Sequence, residues 1–156
     1  MQLSARRKRT DPAPRTISCI VIDPNDGTAV STQIQRHVRY LVAIGAMRSG
    51  ERLPTIEALA EDLGVNANTI SSAYDALKDG GVIKAVIGHG SYVAEGARSE
   101  QLIREVANAG LSPAVGSAKA LGCKRRDIEA IVAELLDKWF PQRRDRNGKS
   151  HNDKEQ

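Results

Sequence analysis

Six neighbouring positions combine short side chains with the start of a helical pattern. They are Asn66, Ala67, Asn68, Thr69, Ser71 and Ser72. Amide and hydroxyl groups donate and accept hydrogen bonds but do not exchange protons near neutral pH, so their chemistry is recognition rather than acid–base catalysis. The free backbone N–H groups at the start of a helix add a partial positive charge. We expect this segment to bind a polar partner that carries negative charge.

A second candidate contact is the short segment Gly88-His89-Gly90, which lies between two strand-like segments. Two glycines allow the chain to turn sharply and to approach another surface closely. His89 projects between them, either as a contact to that surface or as an ordinary loop histidine, and the sequence favours neither. We expect the segment to form the tip of a hairpin.

No set of residues suggests catalysis. His37, His89 and His151 do not cluster with the two cysteines, so neither a zinc-ligand spacing nor a Cys/His pair is present. Gly88-His89-Gly90 is too short for a phosphate-binding loop, which also needs a following helix. We therefore expect no enzymatic activity, no metal site and no cofactor.

The polar run lies on a predicted helix–turn–helix. Leu59 and Leu63 lie one turn apart on the first helix, and Ile70 and Ala73 continue the apolar face on the second. Gly64 stands at the turn, where a positive φ favours glycine. Thr55 and Asn66 are placed to cap the two helices, since their side-chain oxygens can accept from the free N–H groups of a first turn.

The flanking elements complete a winged helix–turn–helix of the α+β class. The sequence predicts a strand over Thr16–Asp23, a helix over Thr32–Ile44, and a helix after Asn66 that ends near Asp79. Two short strands, Val82–Ile87 and Ser91–Ala94, then form the hairpin.

After residue 96 the pattern changes to helices alone. One helix is predicted from Ser99 to Gly110, a second from Ser112-Pro113 to Gly122, and a third from Lys124 to Phe140. These form too small a core to be stable alone, so they should dock on the winged domain, on a second copy, or on both. The candidate dimerisation residues are Leu102, Val106, Ile128, Ile131, Leu135 and Trp139.

Positive charge is concentrated at the two chain ends. The chain carries 23 Lys and Arg against 19 Asp and Glu, for a net charge of +4. The basic ends leave the middle mildly acidic, and they serve either as solubilising tails or as arms that grip phosphate. We expect a disordered basic arm over 1–15, the winged domain over 16–96, a helical dimerisation region over 97–140 and a polar tail over 141–156. The basic arm includes Arg6, Arg7, Lys8 and Arg9.

Cysteine usage and hydropathy favour a cytoplasmic protein. Cys19 and Cys123 are far apart and are interpreted as buried thiols rather than a disulfide. The apolar run Ile17–Ile22 is too short for a signal peptide or a membrane span. We expect a soluble protein that does not associate with membranes.

Several motifs are shared with a known family. They are Gly50-x-Arg52-Leu53-Pro54-Thr55, Leu59-Ala60, Leu63-Gly64-Val65-Asn66-Ala67-Asn68-Thr69-Ile70, Ala73-Tyr74, Leu77, Gly81 and Gly88-His89-Gly90-Ser91-Tyr92-Val93. The chain resembles the GntR family of bacterial transcription regulators, and its short helical C-terminal region resembles the YtrA-like subfamily. The resemblance implies a homodimeric repressor on an inverted-repeat operator in double-stranded DNA. It also implies a third helix in the major groove and a wing at the minor groove.

The resemblance extends the candidate DNA-facing set to basic residues outside the polar run. The full set is Arg36, Arg52, Thr55, Asn66, Ala67, Asn68, Thr69, Ser71, Ser72, Lys78, Gly88, His89 and Gly90. Asn68 suits an adenine edge or else faces solvent, whereas Thr69 and Ser72 suit phosphate. Asn66 can act as cap and contact together.

The chain departs from the family pattern where arginines are usual. Glu57, Ala67, Ser71 and Ser72 stand at those positions. Loss of several arginine–guanine contacts should weaken specific binding unless other groups compensate. The alternative is therefore a protein-interaction module built on a winged-helix scaffold with weakened DNA binding. The sequence shows no obvious pocket-forming domain, so a small-molecule effector would have to be small or bind at the interface.

Overall fold

The computed structural model describes residues 20–141 of the chain. The basic arm and all but the first residue of the predicted tail lie outside this range. In chain order the elements are α1 (Val30–Ala43), α2 (Ile56–Leu63), α3 (Ala67–Asp79), β1 (Ile83–Val86), β2 (Gly90–Val93), α4 (Glu100–Ala120) and α5 (Arg125–Trp139). This confirms the predicted α+β winged helix–turn–helix.

The core forms where α1 and α2 pack on α3. Each helix carries apolar residues three or four positions apart, so one face of each is buried. Ile34 and Val38 of α1 are completely buried, as are Ile70 and Leu77 of α3. Leu59 of α2 joins them. This packing fixes the position of α3, the helix that carries the polar run.

The corner between α2 and α3 depends on one glycine. Gly64 has a φ of 63°, in the left-handed region, which other residues adopt only with strain. Its N–H donates to the Glu61 carbonyl at 3.2 Å, and the Val65 N–H donates to the Ala60 carbonyl at 3.0 Å. These bonds satisfy two of the last four carbonyls of α2, which confirms the predicted turn.

The two strands form an antiparallel hairpin in which Ile83 pairs with Val93 and Val86 pairs with Gly90. The other edge of β2 is covered by the segment before α2. The Gly50 N–H donates to the Val93 carbonyl at 2.9 Å, and the Leu53 N–H donates to the Ser91 carbonyl at 2.8 Å. The hairpin is thereby attached to the helical core rather than projecting freely.

The strand predicted over Thr16–Asp23 is absent from its described part, which has no regular structure from residue 20 to residue 23. A glutamine side chain explains the difference. The Asp23 N–H donates to Gln33 Oε1 at 2.9 Å, and Gln33 Nε2 donates to the Asp23 carbonyl at 2.9 Å and the Thr28 carbonyl at 3.1 Å. Gln33 replaces the partner strand and holds this segment against α1.

The helix break predicted at Gly110 is wrong. A single helix, α4, runs from Glu100 to Ala120 with Pro113 inside it. Gly110 is not among the glycines with positive φ, so it continues the helix instead of ending it. Pro113 removes one hydrogen-bond donor, and the remaining bonds of this long helix offset that loss. The C-terminal region therefore has two helices where three were predicted.

The described residues divide into two compact units, with the boundary between residues 109 and 110. The predicted domain boundary at 96/97 stays a prediction. In the described part of the second unit, no residue of α5 is buried. The exposed large apolar side chains of the second unit are Leu111, Val115, Leu121, Ile131, Val132, Leu135, Leu136, Trp139 and Phe140. No helix within residues 20–141 is long and apolar enough to span a membrane.

Candidate nucleic-acid interface

Two asparagines at the start of α3, Asn66 and Asn68, have different hydrogen-bond partners. Asn66 Oδ1 accepts from the Asn68 N–H at 2.8 Å, which makes Asn66 the helix cap. The Asn68 side chain is exposed and has no hydrogen-bond partner within residues 20–141. Its amide is therefore free to donate and accept at the start of the helix.

Three hydroxyl side chains lie near Asn68 in the sequence, and they differ in hydrogen bonding and in burial. Ser72 Oγ donates to the Asn68 carbonyl at 2.9 Å, so its oxygen remains only as an acceptor unless this bond breaks. Thr69 and Ser71 are half-buried. The predicted roles of Thr69 and Ser72 as phosphate contacts stay predictions.

An open depression separates the start of α1 from the start of α3. Its lining consists of Ala29, Val30, Ser31, Asn68, Thr69 and Ser72. Neither helix has an acidic residue in its first turn, so the depression lies at two helix starts and its lining contains no carboxylate that would repel an anion. The arrangement suits an anion. Sequence reasoning missed Ser31, because no local signal shows that residues nearly forty positions apart share a surface.

Side chains at the start of α2 and in the loop before it are used in hydrogen bonds within the protein. The Ala58 N–H donates to Thr55 Oγ1 at 3.2 Å, which confirms Thr55 as a cap. The Tyr74 hydroxyl donates to the Pro54 carbonyl at 3.0 Å and ties α3 to this loop. Burial raises the pKa of the Tyr74 phenol, so it remains a donor. Glu57 is exposed in the first turn of α2.

The wing tip is a tight turn held by side chains as well as backbone. The His89 N–H donates to the Val86 carbonyl at 2.9 Å across Gly88, whose φ is 74°. His89 Nδ1 lies 3.0 Å from the Ile87 carbonyl, and the Tyr92 hydroxyl donates to the His89 carbonyl at 3.1 Å. His89 is thus an exposed residue whose ring also bonds to its own turn.

Arg52 lies over the wing at Gly90. A Cβ added to Gly90 would approach Arg52 Nε to 3.4 Å, and Gly90 also has a φ of 105°. Glycine is favoured here by its conformation, whereas the Arg52 side chain leaves room for a Cβ at ordinary contact distance. Arg52 is exposed, and no carboxylate within residues 20–141 lies at ion-pair distance from it.

The other cations of the predicted set are paired. Arg36 forms an ion pair with Asp26 and thereby lowers the pKa of that carboxyl. Lys78 Nζ lies 2.8 Å from Asp75 Oδ1, which raises the pKa of the lysine. Exposed ion pairs contribute little to stability, so either cation can exchange its partner for phosphate at small cost.

The candidate dimerisation residues fall into two groups. Leu102 is 4% exposed because it packs in the core of the first unit, and Val106 is partly buried against that core. Most of their surface is thus committed to their own chain. On α5, Ile128 is half-buried, whereas Ile131, Leu135 and Trp139 are exposed.

Comparison with known proteins identifies relatives across the winged domain. The model of the family described as bacterial regulatory proteins, gntR family, matches residues 30–93. The HTH-type transcriptional repressor YtrA of Bacillus subtilis is 36% identical over 80 residues, which span 51% of this chain and 62% of that protein. An HTH-type transcriptional regulator of Mycobacterium tuberculosis is 30% identical over 116 residues, which span 74% of this chain and 93% of that protein.

A solved structure extends the similarity to three dimensions. A GntR family transcriptional regulator from Listeria monocytogenes superposes with a TM-score of 0.60 at 29% sequence identity. The alignment covers 70% of this chain and 97% of that one. The shared fold therefore reaches beyond the residues that the family model matches.

Proposed function

The chain belongs to the GntR family of bacterial regulatory proteins, and from this premise we propose that it represses transcription as a homodimer bound to an inverted-repeat operator. The observation that carries the proposal is the first turn of α3. Asn68 projects there without a partner in the described chain, beside a depression that contains no carboxylate. This arrangement presents hydrogen-bond donors to a polyanion.

In this proposal, Asn68 is the residue that contacts a base. With α3 in the major groove, a free amide can both donate and accept along an adenine edge. The cap formed by Asn66 holds the backbone of this turn in place, so Asn68 approaches the base with little loss of conformational freedom.

In this proposal, residues around the start of α3 and beside the wing contact the phosphates. The depression between α1 and α3 would receive one phosphate through Ser31, Thr69 and the nearby N–H groups. Arg52, which has no acidic partner in the described chain, would hold a second phosphate beside the wing. Lys78 and Arg36 would join after releasing their surface carboxylates.

A homodimer would explain the apolar surface of the second unit. Exposed apolar patches of this kind mark protein interfaces, and α5 has no buried residue within its own chain. A symmetric dimer places two copies of α3 on half-sites about 34–36 Å apart. We place this regulator in the cytoplasm, where its DNA target would be found, and assign no effector.

The basic arm is proposed to strengthen the grip on DNA. Arg6, Arg7, Lys8 and Arg9 lie outside the described residues. Four phosphate contacts would add about −3.6 to the slope of log affinity against log salt, roughly a hundredfold in affinity between about 50 and 200 mM. Deletion of residues 1–15 should flatten the salt titration by that amount, and an unchanged slope would remove the arm from the proposal.

Selection of bound fragments from a random duplex pool tests the function. We expect recovery of an inverted repeat whose half-sites are separated by about one helical turn. Sedimentation of the complex should give two protein chains per duplex. Recovery of single, unrepeated half-sites with one bound chain would contradict the dimeric part of the proposal.

A protein-interaction module is the second candidate, and the substituted base-reading positions favour it. Glu57 and Ala67 offer no hydrogen-bond donor to a base, and Ser71 is half-buried. A mobility shift with random duplex DNA separates the two functions. Binding that is absent even at low salt supports the interaction module, whereas salt-sensitive binding supports the regulator.

A further inference from the structure

An isoleucine occupies the outermost point of the wing. Ile87 is 99% exposed, more than any other exposed large hydrophobic residue in the described part of the chain. An isolated exposed apolar residue usually requires no explanation. Ile87 differs because it lies in the hydrogen-bonded turn between β1 and β2, the segment that the proposed function brings to DNA.

The turn constrains the backbone at Ile87. The His89 N–H bond to the Val86 carbonyl closes the turn, and Gly88 supplies the positive φ at its third position. A β-branched side chain has few accessible rotamers, so contact with another surface costs Ile87 little conformational entropy.

Three carbonyl groups of the tip are already hydrogen-bonded. The Val86 carbonyl accepts from the His89 N–H, the Ile87 carbonyl is paired with the His89 ring, and the His89 carbonyl accepts from the Tyr92 hydroxyl. These bonds lower the cost of removing the tip from water, because three of its acceptors are already paired. The segment from Val86 to Val93 also contains no Asp or Glu, so nothing in it repels phosphate.

We propose that Ile87 is an affinity-determining residue that packs against the deoxyribose walls of the DNA minor groove. Apolar side chains are commonly used by proteins that enter this groove. The proposal rests on the DNA-binding function above and adds a contact that is independent of charge. Arg52, whose side chain lies beside the wing at Gly90, supplies the contrasting ionic contact.

The two kinds of contact differ in their response to salt. Ile87→Ala removes apolar area but no charge, so it should weaken binding about tenfold while the salt slope stays the same. Arg52→Gln should flatten the slope by about 0.9. Both are measured by fluorescence anisotropy with the duplex selected by the wild-type protein, at several salt concentrations.

Two further variants control for size and for general hydrophobicity. Ile87→Leu preserves the apolar area and should bind within about twofold of wild type. Val21→Ala shortens another side chain that is 84% exposed, away from the wing, and should leave affinity unchanged. None of these residues is buried, so thermal melting should be the same for all four variants.

The outcomes distinguish this inference from the proposed function. Wild-type affinity in Ile87→Ala, or a loss accompanied by a flatter salt slope, overturns the role of Ile87 alone. A loss that tracks dissociation of the dimer in sedimentation assigns Ile87 to a protein contact and also overturns it. Failure of the wild-type protein to bind any duplex at low salt overturns both.

Discussion

At the scale of single residues, the two asparagines at the start of α3 have separable roles. Asn66 caps the helix, so Asn66→Ala should lower the free energy of unfolding by about 1 kcal/mol. Asn68 makes no intramolecular side-chain bond in the described chain, so Asn68→Ala should leave stability unchanged. It should instead reduce discrimination at one base pair by about 1–3 kcal/mol.

Urea unfolding and binding to single-base variants of the selected duplex measure the two effects separately. Each asparagine variant is the matched control for the other. The assignment is wrong if Asn68→Ala weakens binding equally on every sequence, because a uniform loss indicates a phosphate contact rather than base recognition.

His37 makes stability depend on pH. Its Nε2 is buried without a hydrogen-bond partner in the described chain, and desolvation lowers its pKa below the ordinary value of 6.5. The unfolded chain therefore binds the proton more readily, so stability should be complete above about pH 6.5 and should fall as pH decreases towards the folded-state pKa.

Thermal melting between about pH 8 and pH 5 tests this prediction. His37→Leu should reduce the loss of stability over the acidic half of that range, whereas Gln35→Ala, a non-titrating change on the same helix, should not. An identical pH profile in wild type and His37→Leu would show that another group is responsible.

Local chemistry explains which residue roles could be predicted. The caps formed by Thr55 and Asn66 depend on atoms two or three positions apart, so the sequence pattern predicts both. The pairing of Arg36 with Asp26 and the approach of Ser31 to Thr69 depend on tertiary packing. Sequence alone therefore could not separate paired from unpaired cations.

At the scale of elements, Gly64 controls the corner of the helix–turn–helix. A Cβ at this position would meet no atom within 4 Å, so the cost of Gly64→Ala is conformational rather than steric. We expect a loss of roughly 1–2 kcal/mol in the free energy of unfolding, since the residue must retain a φ of 63°.

Gly110→Ala provides the opposite control. Gly110 lies inside α4 without a positive φ, and the methyl group of an alanine there would meet no atom within 4 Å outside the helix backbone. Alanine should therefore stabilise the helix by up to about 1 kcal/mol. Urea unfolding followed by circular dichroism measures both changes. Equal changes in the free energy of unfolding for Gly64→Ala and Gly110→Ala would contradict the assignment of a positive φ to Gly64 alone of the two.

The same two glycines show where element prediction succeeds. Gly64 follows an apolar repeat and precedes a capping asparagine, and these agreeing signals predicted the corner. Gly110 followed by Ser112-Pro113 carries the same local signals of a helix end, yet α4 continues through them. The strand predicted near Ile20 also failed, because the pattern cannot show that Gln33 takes the place of a partner strand.

At the scale of the whole molecule, the apolar face of α5 should control assembly. Leu135→Glu places a charge among exposed apolar residues and should convert the proposed dimer to monomer, with loss of operator affinity. Glu134→Gln, on the adjacent exposed position, is the matched control and should leave the dimer intact. Sedimentation over a range of concentrations measures the effect.

Trp139 offers an independent signal for the same interface. It is 73% exposed in the single chain, so burial in a dimer should shift its fluorescence. Emission should change as the protein is diluted through the dimer–monomer transition. A constant spectrum would place Trp139 outside the interface. The sequence predicted this apolar stripe from its helical spacing but could not show that Leu102 belongs to the core of its own chain.

The most direct test of DNA recognition by α3 is a competition measurement. Wild-type protein and Asn68→Ala are titrated onto the selected duplex in the presence of random duplex at fixed salt. The wild type should prefer the selected sequence by at least about a thousandfold, and Asn68→Ala should lose about ten- to a hundredfold of that preference. An unchanged preference in Asn68→Ala would contradict recognition through the first turn of α3.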